Sequence, residues 1–468
     1  MKRDAFGVPS ILFFVLSAQA PLTSIVGAAC LAIAMGNGAG APGAYLAVGL
    51  VVILFSVGFT TITRHLDTRG GFFAVIRAGL GLRSGAGGSL LALLSYNAVQ
   101  FAMYGLFGAS MAGLIGRTAG FSSPWWVWSL AAIALVWFLG SRKVELGARV
   151  LAVLVAFELL LLIAFGIGVL ATRGLSSLDV AGSFSPTAVL AGAPGVAIMF
   201  AIASMFGFES TAIYAGEAKD PKRTIPRATY IAVTLIAVFL ALVTWMLVAY
   251  YGAAQVQDQA TQVLGSDPAL FALTPLESVL GGWASTAADV LLCTSLFAGV
   301  LAFHNMITRY FHAMAGSCLF PAILERTNRH QAPANASAAQ SFAACAAIAP
   351  FAILGLDPVA KLFSWFSGLA VATLIVLYTL TSVAVIAYFR RHPVETGRWA
   401  TLIAPGLSTV LMLGILALVL NNFGVLTGGD ATTVVLLLIT IPVSFALGWS
   451  RVRGGTRAPA TAEVADLA

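Results

Sequence analysis

Apolar residues fill this chain in long runs, and the polar stretches between them are short. Twelve runs stand out, at about 11–35, 43–63, 87–116, 124–140, 148–171, 192–216, 227–251, 284–311, 337–354, 361–389, 401–421 and 432–450. Each has the roughly 17 or more mostly apolar residues that a spanning helix needs. A membrane β-barrel would instead show alternation over segments of about ten residues. The pattern predicts an all-α polytopic membrane protein with twelve transmembrane helices.

Two spans are not uniform helix formers. Span 1 contains APLTSIVGAA, with Pro21 and Gly27 in its middle, and span 6 contains ASMFGFES, with Gly207 in its middle. Proline removes a helix hydrogen bond and glycine relaxes the backbone. Irregular backbone at membrane depth survives only where it is buried in protein or lines a cavity. Spans 1 and 6 correspond if the chain is an inverted 5+5 repeat with two extra C-terminal helices, the plan of many secondary transporters. The rival reading of these glycines is close helix packing.

Composition agrees. The chain has 468 residues, is 59% hydrophobic and 9% charged, and has a mean hydropathy of +0.95, far from the roughly 25% charged of soluble chains. The net charge of +7 suggests nucleic acid until its distribution is examined. With twelve spans, 22 of the 25 Lys and Arg residues fall on the side of the termini, and Arg117, Arg173 and Lys361 fall on the other. Positive residues favour the cytoplasmic side. Both termini are therefore expected in the cytoplasm of a cell whose plasma (inner) membrane holds the protein. The lipid bilayer, rather than nucleic acid, is the partner that the charge implies. The densest block, GEAKDPKRTIPR, carries Glu217, Lys219, Asp220, Lys222, Arg223 and Arg227 in the loop between spans 6 and 7. Pro221 is expected to stop the preceding helix and Pro226 to begin the next. Glu217 and Asp220 either pair with the loop arginines or stand solvated.

The expected organisation is one transporter domain over 1–450. Repeat one covers about 11–171, repeat two about 192–389, and the extra helices about 401–450; a disordered cytoplasmic tail follows at 451–468. The start, MKRDAFGVPSILFFVLSAQAP, mimics a signal peptide, but Pro21 and continuing apolar sequence favour an uncleaved first span. The long loop at about 252–283 is expected to hold one short helix in PALFALTPLESVLGG. Cys30, Cys293, Cys318 and Cys345 are far apart and form no CxxC, so they are expected to pack as small apolar groups. His304 and His312 in span 8 are expected to serve packing or the helix end, and no metal site and no cofactor are expected. No Walker motif and no paired catalytic set is present, which argues for a transporter driven by a gradient or exchange, not an enzyme. A channel or a membrane sensor is the reading from another class.

Several residues together carry a family resemblance. FGFES followed by GEAKDPKRTIPRA is similar to the sixth helix and following loop of amino acid permeases of the amino acid–polyamine–organocation (APC) superfamily. HNMITRYFHAMAGSCLFPAILERTNRHQAP looks like the end of their helix 8, with Asn305, Arg309, Gly316 and Pro321 where expected. GGFFAVIRAGLG at 70–81 resembles their Gly-Gly-aromatic segment after helix 2. The chain departs from the family in reading TSIVGAA where many members carry a Gly-Ser-Gly-like run. It also has AGSCLFP where an Arg-Asp pair is usual.

The resemblance implies the LeuT-type fold and alternating access for an amino acid, with a polyamine such as putrescine as the alternative substrate. Unwound half-helices would offer backbone donors to a carboxylate and carbonyls to an ammonium. The substrate site is then expected at Thr23, Ser24, Ile25, Val26 and Gly27 of span 1 and at Ala203, Ser204, Phe206, Gly207 and Phe208 of span 6. Phe206 would cap the pocket or stack on a substrate amine. In span 3, Tyr96, Asn97, Gln100 and Tyr104 recur at helical spacing. Asn97 and Gln100 are specificity candidates, with helix–helix hydrogen bonding as the rival. Ionisable groups at mid-membrane are costly and by default functional, so Glu158 and Glu209 are candidates for coupling a proton. The rival is a neutral carboxyl bonded within the bundle. Thr294 and Ser295 are candidates to hold sodium beside helix 1, and Ser364 and Trp365 to act as gate residues. Uptake or export, and proton, sodium or exchange, all remain compatible with the sequence.

Overall fold

The computed structural model describes residues 7–66, 71–142, 148–209, 211, 220–264, 267–316, 320–328, 332–393 and 397–452. In lipid every backbone group needs an internal partner, and helices meet that need segment by segment. Among the described residues every regular element is helical. Span 1 is split into α1 (Val8–Gln19) and α2 (Pro21–Thr23), and α2 continues through π-helical turns at Ser24–Ala29 and Ala32–Asn37. Span 2 is α3 (Ala41–Thr63), and the Gly-Gly-aromatic segment forms α4 (Gly71–Leu80). Spans 3 to 5 are α5 (Leu82–Ala119), α6 (Trp125–Gly140) and α7 (Ala148–Arg173). Two short turns, α8 (Val180–Phe184) and α9 (Pro186–Val189), lead to α10 (Pro194–Ala203), the first half of span 6.

The second half continues with α11 (Pro221–Tyr251), a hairpin of α12 (Val256–Leu264) and α13 (Leu270–Leu280), and α14 (Gly282–Gly316). Then come α15 (Ala334–Ile353), α16 (Ser364–Arg391), α17 (Ala404–Leu426), and the last span as α18 (Ala431–Leu438) and α19 (Thr440–Arg451). Each of the twelve expected spans thus has a helical counterpart. The broken ones are spans 1 and 6.

Packing sorts these helices by depth. The second part of helix 1 and α10 lie against each other at the centre, surrounded by α3, α5, α14 and α16. Large apolar side chains of α7, α17 and α18, including Phe157, Leu160, Val410 and Leu436, point outward, as a lipid-facing surface requires. We call the end of the bundle where α5 stops and α14 begins the far end. There three aspartates cap helices by accepting backbone N–H bonds: Asp179 from Gly182 at 2.8 Å, Asp357 from Val359 at 2.8 Å, and Asp430 from Thr432 at 3.0 Å. The hydrogen bonds from Thr433 and Thr432 hold the exposed Asp430 carboxyl below the usual range.

Three local expectations need correction. The loop between spans 7 and 8 holds two helices, α12 and α13, where one was expected. Pro221 begins α11 after Asp220, whose φ of 44° lies in the left-handed region, while Pro226 lies inside that helix. Proline suits a first turn because it lacks the N–H that would go unpaired there. Thirdly, Gly27 does not mark a break: it sits in the π-helical stretch, where a Cβ would come 2.8 Å from Leu106 Cδ2 and 3.1 Å from Phe363 Cζ. Its role is close packing. Arg223 lies 3.7 Å from Asp220, so one pair of the charged loop does form. Glu217, Lys219, Cys318 and the tail from 453 lie outside the described residues.

Candidate substrate site at two helix breaks

The first break is at Ala20–Pro21. Ala20 is left-handed (φ 51°, ψ 80°), and Pro21 follows as the first residue of a new helical start. Proline has no N–H, so Leu22 offers the first backbone donor of the second half. It donates to Glu158 Oε2 of α7 at 3.0 Å. Glu158 is fully buried, and its Oε1 has no hydrogen-bond partner. Thr23 Oγ1, one residue on from Leu22, is also buried and unpartnered. Ser295 of α14 lies beside the Glu158 carboxyl. Across the break, Gln19 Nε2 donates to Ser24 Oγ at 2.8 Å. A half-helix start, a carboxyl and two hydroxyls therefore meet where α2, α7 and α14 touch.

The second break follows α10. Met205 donates to Ile202 O at 2.9 Å and Phe206 to Ala203 O at 3.4 Å, and Gly207 then takes φ 106°, a conformation side chains resist. Gly207 N–H donates to Glu209 Oε2 at 3.1 Å, and the Tyr378 hydroxyl of α16 lies 3.5 Å from the same oxygen. Tyr96 of α5 and Tyr310 of α14 face this carboxyl and lie edge to face, 5.8 Å apart. Phe208 is buried against Phe55 and Tyr378, with ring centroids 6.1 and 5.8 Å away.

Each break thus carries one buried acid that accepts a backbone N–H. A carboxylate bonded to a backbone donor is a strong, charge-assisted arrangement. Ile25, Val26 and Phe206 are buried near the breaks, and Ala203 is half-buried. Ser204 bonds its own helix at Phe200 O, 2.9 Å away, and lies 3.3 Å from the Tyr45 hydroxyl of α3.

Other candidates go elsewhere. Gln100 donates to Val300 O of α14 at 2.8 Å and accepts from Gln340 Nε2 of α15 at 2.5 Å. Its amide joins three helices, the geometry of the rival helix–helix reading. Asn97 donates to Leu93 O of its own helix at 2.8 Å and stays half-buried. Trp365 Nε1 donates to Leu426 O of α17 at 2.6 Å, and its ring packs edge-on against Phe351 of α15. These contacts tie it to α17 and α15. Ser364 is buried with an unpartnered hydroxyl. Thr294 is exposed and bonds its own helix at Val290 O and Leu291 O, both 2.9 Å away. Of that pair only Ser295 turns inward. His304 is buried and bonds Ser337 at 2.8 Å, a packing role. Tyr378 and Gln19 were not singled out from the sequence. A lone tyrosine deep in span 10 was the available signal for the first.

The Gln100 geometry gives a test. Gln100→Leu removes the acceptor of Gln340 Nε2 and the second bond to the Val300 carbonyl, at a cost of about 1–2 kcal/mol in a membrane bundle. The expected result is a lower melting temperature of the detergent-purified protein with an unchanged KM for uptake. A changed KM with unchanged melting would place Gln100 at the substrate.

Two broken helices packed against each other at the centre of an all-α membrane bundle are the arrangement expected of a LeuT-type transporter. Solved structures agree on the fold. The manganese transporter of Eremococcus coleocola, in complex with an aromatic bis-isothiourea substituted compound, superposes with a TM-score of 0.55 at 16% identity, over 94% of each chain. A point mutant of that transporter gives 0.58 at 14% identity, over 98% of this chain and 94% of that one. MhsT in complex with L-phenylalanine gives 0.54 at 18% identity, over 90% of this chain and 100% of that one. No curated protein matches the sequence. The family model for amino acid permeases matches residues 6–445, and the chain belongs to that family.

Proposed function

We propose that this permease moves an amino acid across the membrane by alternating access, with proton movement through Glu158 or Glu209. The observation that carries the reading is the pair of breaks, each with a buried carboxyl that accepts a backbone N–H. A substrate carboxylate suits the positive end of a half-helix, and a substrate ammonium suits the carbonyls freed at the end of α10 and the Glu209 carboxyl. One zwitterion then satisfies both breaks. The substituent on its α-carbon meets Phe206, Phe208 and the tyrosines around Glu209.

Glu158 links binding to motion. It holds the start of the second half of helix 1 through Leu22, and α7 and α14 flank it. Protonation weakens a hydrogen bond to a carboxylate, so a proton arriving there loosens the break. In this reading the termini are cytoplasmic and the protein sits in the plasma (inner) membrane.

The experiment is uptake of labelled amino acids and putrescine into proteoliposomes, with and without an imposed pH gradient. Saturable uptake of an amino acid, raised by the gradient, is the expected result. Uptake of putrescine alone would reassign the two carboxyls to a dication. Binding without flux would make the protein a sensor.

A further inference from the structure

Outside the two breaks, the densest set of bonded charges in the described residues lies at the far end. Arg117, in the last turn of α5, donates through Nε to Asp289 Oδ2 at 3.0 Å and through Nη2 to Oδ1 and Oδ2, both at 2.7 Å. Asp289 sits in α14 and is buried. Arg117 Nη1 bonds Asp267, which lies between α12 and α13 and is part exposed. Asp267 Oδ1 also accepts from Ala269 N at 3.2 Å, at the turn into α13.

The hairpin that carries Asp267 belongs on its other side to helix 1. Gln257 of α12 donates to Ala34 O at 3.4 Å and packs its side chain against Gly38. Tyr251 donates to Phe271 O at 2.9 Å and stacks on that ring at 4.9 Å, fixing the hairpin's root. The hairpin therefore spans the line between the far half of helix 1 and the pair α5–α14.

We propose that Arg117 is the hub of a latch whose moving contact is Asp267, and that this bond must open before the site is exposed at the far end. The inference rests on the alternating-access reading above. The breaks face α5 and α14 through Tyr96, Tyr310 and Ser295, so exposure toward the far end separates helix 1 from those two helices. The hairpin bridges that gap. Asp289 grips the guanidinium with both oxygens and keeps it aimed, which leaves the part-exposed Asp267 bond as the one to break. Gly113, one turn earlier, leaves room for the cluster: a Cβ there would lie 3.0 Å from Arg117 Nη1 and 3.2 Å from Asp267 Oδ2.

Cys30 reports on the latch. It is fully buried in helix 1 beneath the hairpin, near Asp267 and Tyr251. The rate of its alkylation in the full-length purified protein is followed by mass spectrometry. Asp267→Asn is expected to speed alkylation about fivefold, the size of a part-exposed ion pair. Asp258→Asn, which removes an exposed acid of the same hairpin, is expected to leave the rate unchanged. Raising ionic strength should speed the unsubstituted protein and not Asp267→Asn, because salt screens exposed pairs. The latch is refuted by equal rates in Asp267→Asn and the unsubstituted protein, or by equal acceleration in Asp258→Asn. It is likewise refuted if the unsubstituted protein is insensitive to salt, an arm that needs no variant to fold. Alkylation requires no substrate, so failure of the transport assignment reads separately.

Discussion

Uptake driven by a pH gradient is expected to fall to background in Glu158→Gln, while substrate exchange without a gradient continues. Glutamine keeps the size of the side chain and an oxygen that can accept from Leu22 N–H, now at 3.0 Å. What it cannot do is take up and release a proton. The helix break therefore survives and the coupling does not. Glu158→Leu removes the acceptor as well and leaves the Leu22 donor buried and unpaired, at a cost of about 1–3 kcal/mol. It is expected to lose exchange too. The same pair of substitutions at Glu209 separates its two roles, since Gly207 N–H depends on it in the same way. Gradient-stimulated uptake that persists in both glutamine variants would remove proton coupling from these carboxyls.

The reason these acids were legible in the sequence is their cost. An ionisable residue in an apolar span needs a partner, and each found a backbone N–H freed by a nearby break. Pro21 and Gly207 were legible for a similar reason, since each restricts or frees the backbone where a helix would otherwise continue. The residue that turns left-handed is Ala20, not Gly27, because the proline after it forbids the regular bond and the turn must occur on its N-terminal side. Gly27 and the hinge glycine look alike in sequence. They differ in backbone: Gly207 takes φ 106°, while Gly27 stays within the π-helical stretch with Leu106 and Phe363 packed against it.

Facing was the least legible property. Thr294 and Ser295 are adjacent, and adjacent helix positions point about 100° apart. One faces Glu158 and the other faces outward, and nothing in the twelve apolar runs said which. Gln100 shares a face with Tyr96, yet its long amide reaches α14 and α15 while Tyr96 meets Tyr310. A polar stripe marks a buried face, but only the neighbouring helices decide whether that face meets substrate or scaffold. Tyr378 escaped notice because its importance lies in Glu209, 169 positions away in sequence.

Gly195→Ala is expected to destabilise the protein. Gly195 opens α10, the first half of helix 6, where it crosses α17. A Cβ there would lie 2.1 Å from Leu418 O and 2.6 Å from Asn422 Oδ1. Neither is a freely yielding side-chain tip: the first is backbone, and the second is held because it accepts Gly195 N–H at 2.9 Å. The methyl group must push α17 away and break that cap. Overpacking of this kind costs about 1–3 kcal/mol, and loss of a helix cap adds about 1 kcal/mol. Gly414→Ala in α17 is the control, because a Cβ there meets nothing within 4 Å. It is expected to melt at the original temperature or slightly higher, since alanine favours helix over glycine. Thermal unfolding of the purified proteins in detergent should therefore place Gly195→Ala several degrees below Gly414→Ala. Equal melting temperatures would mean that α10 and α17 do not meet through this glycine, and that the far half of the broken helix is free of α17.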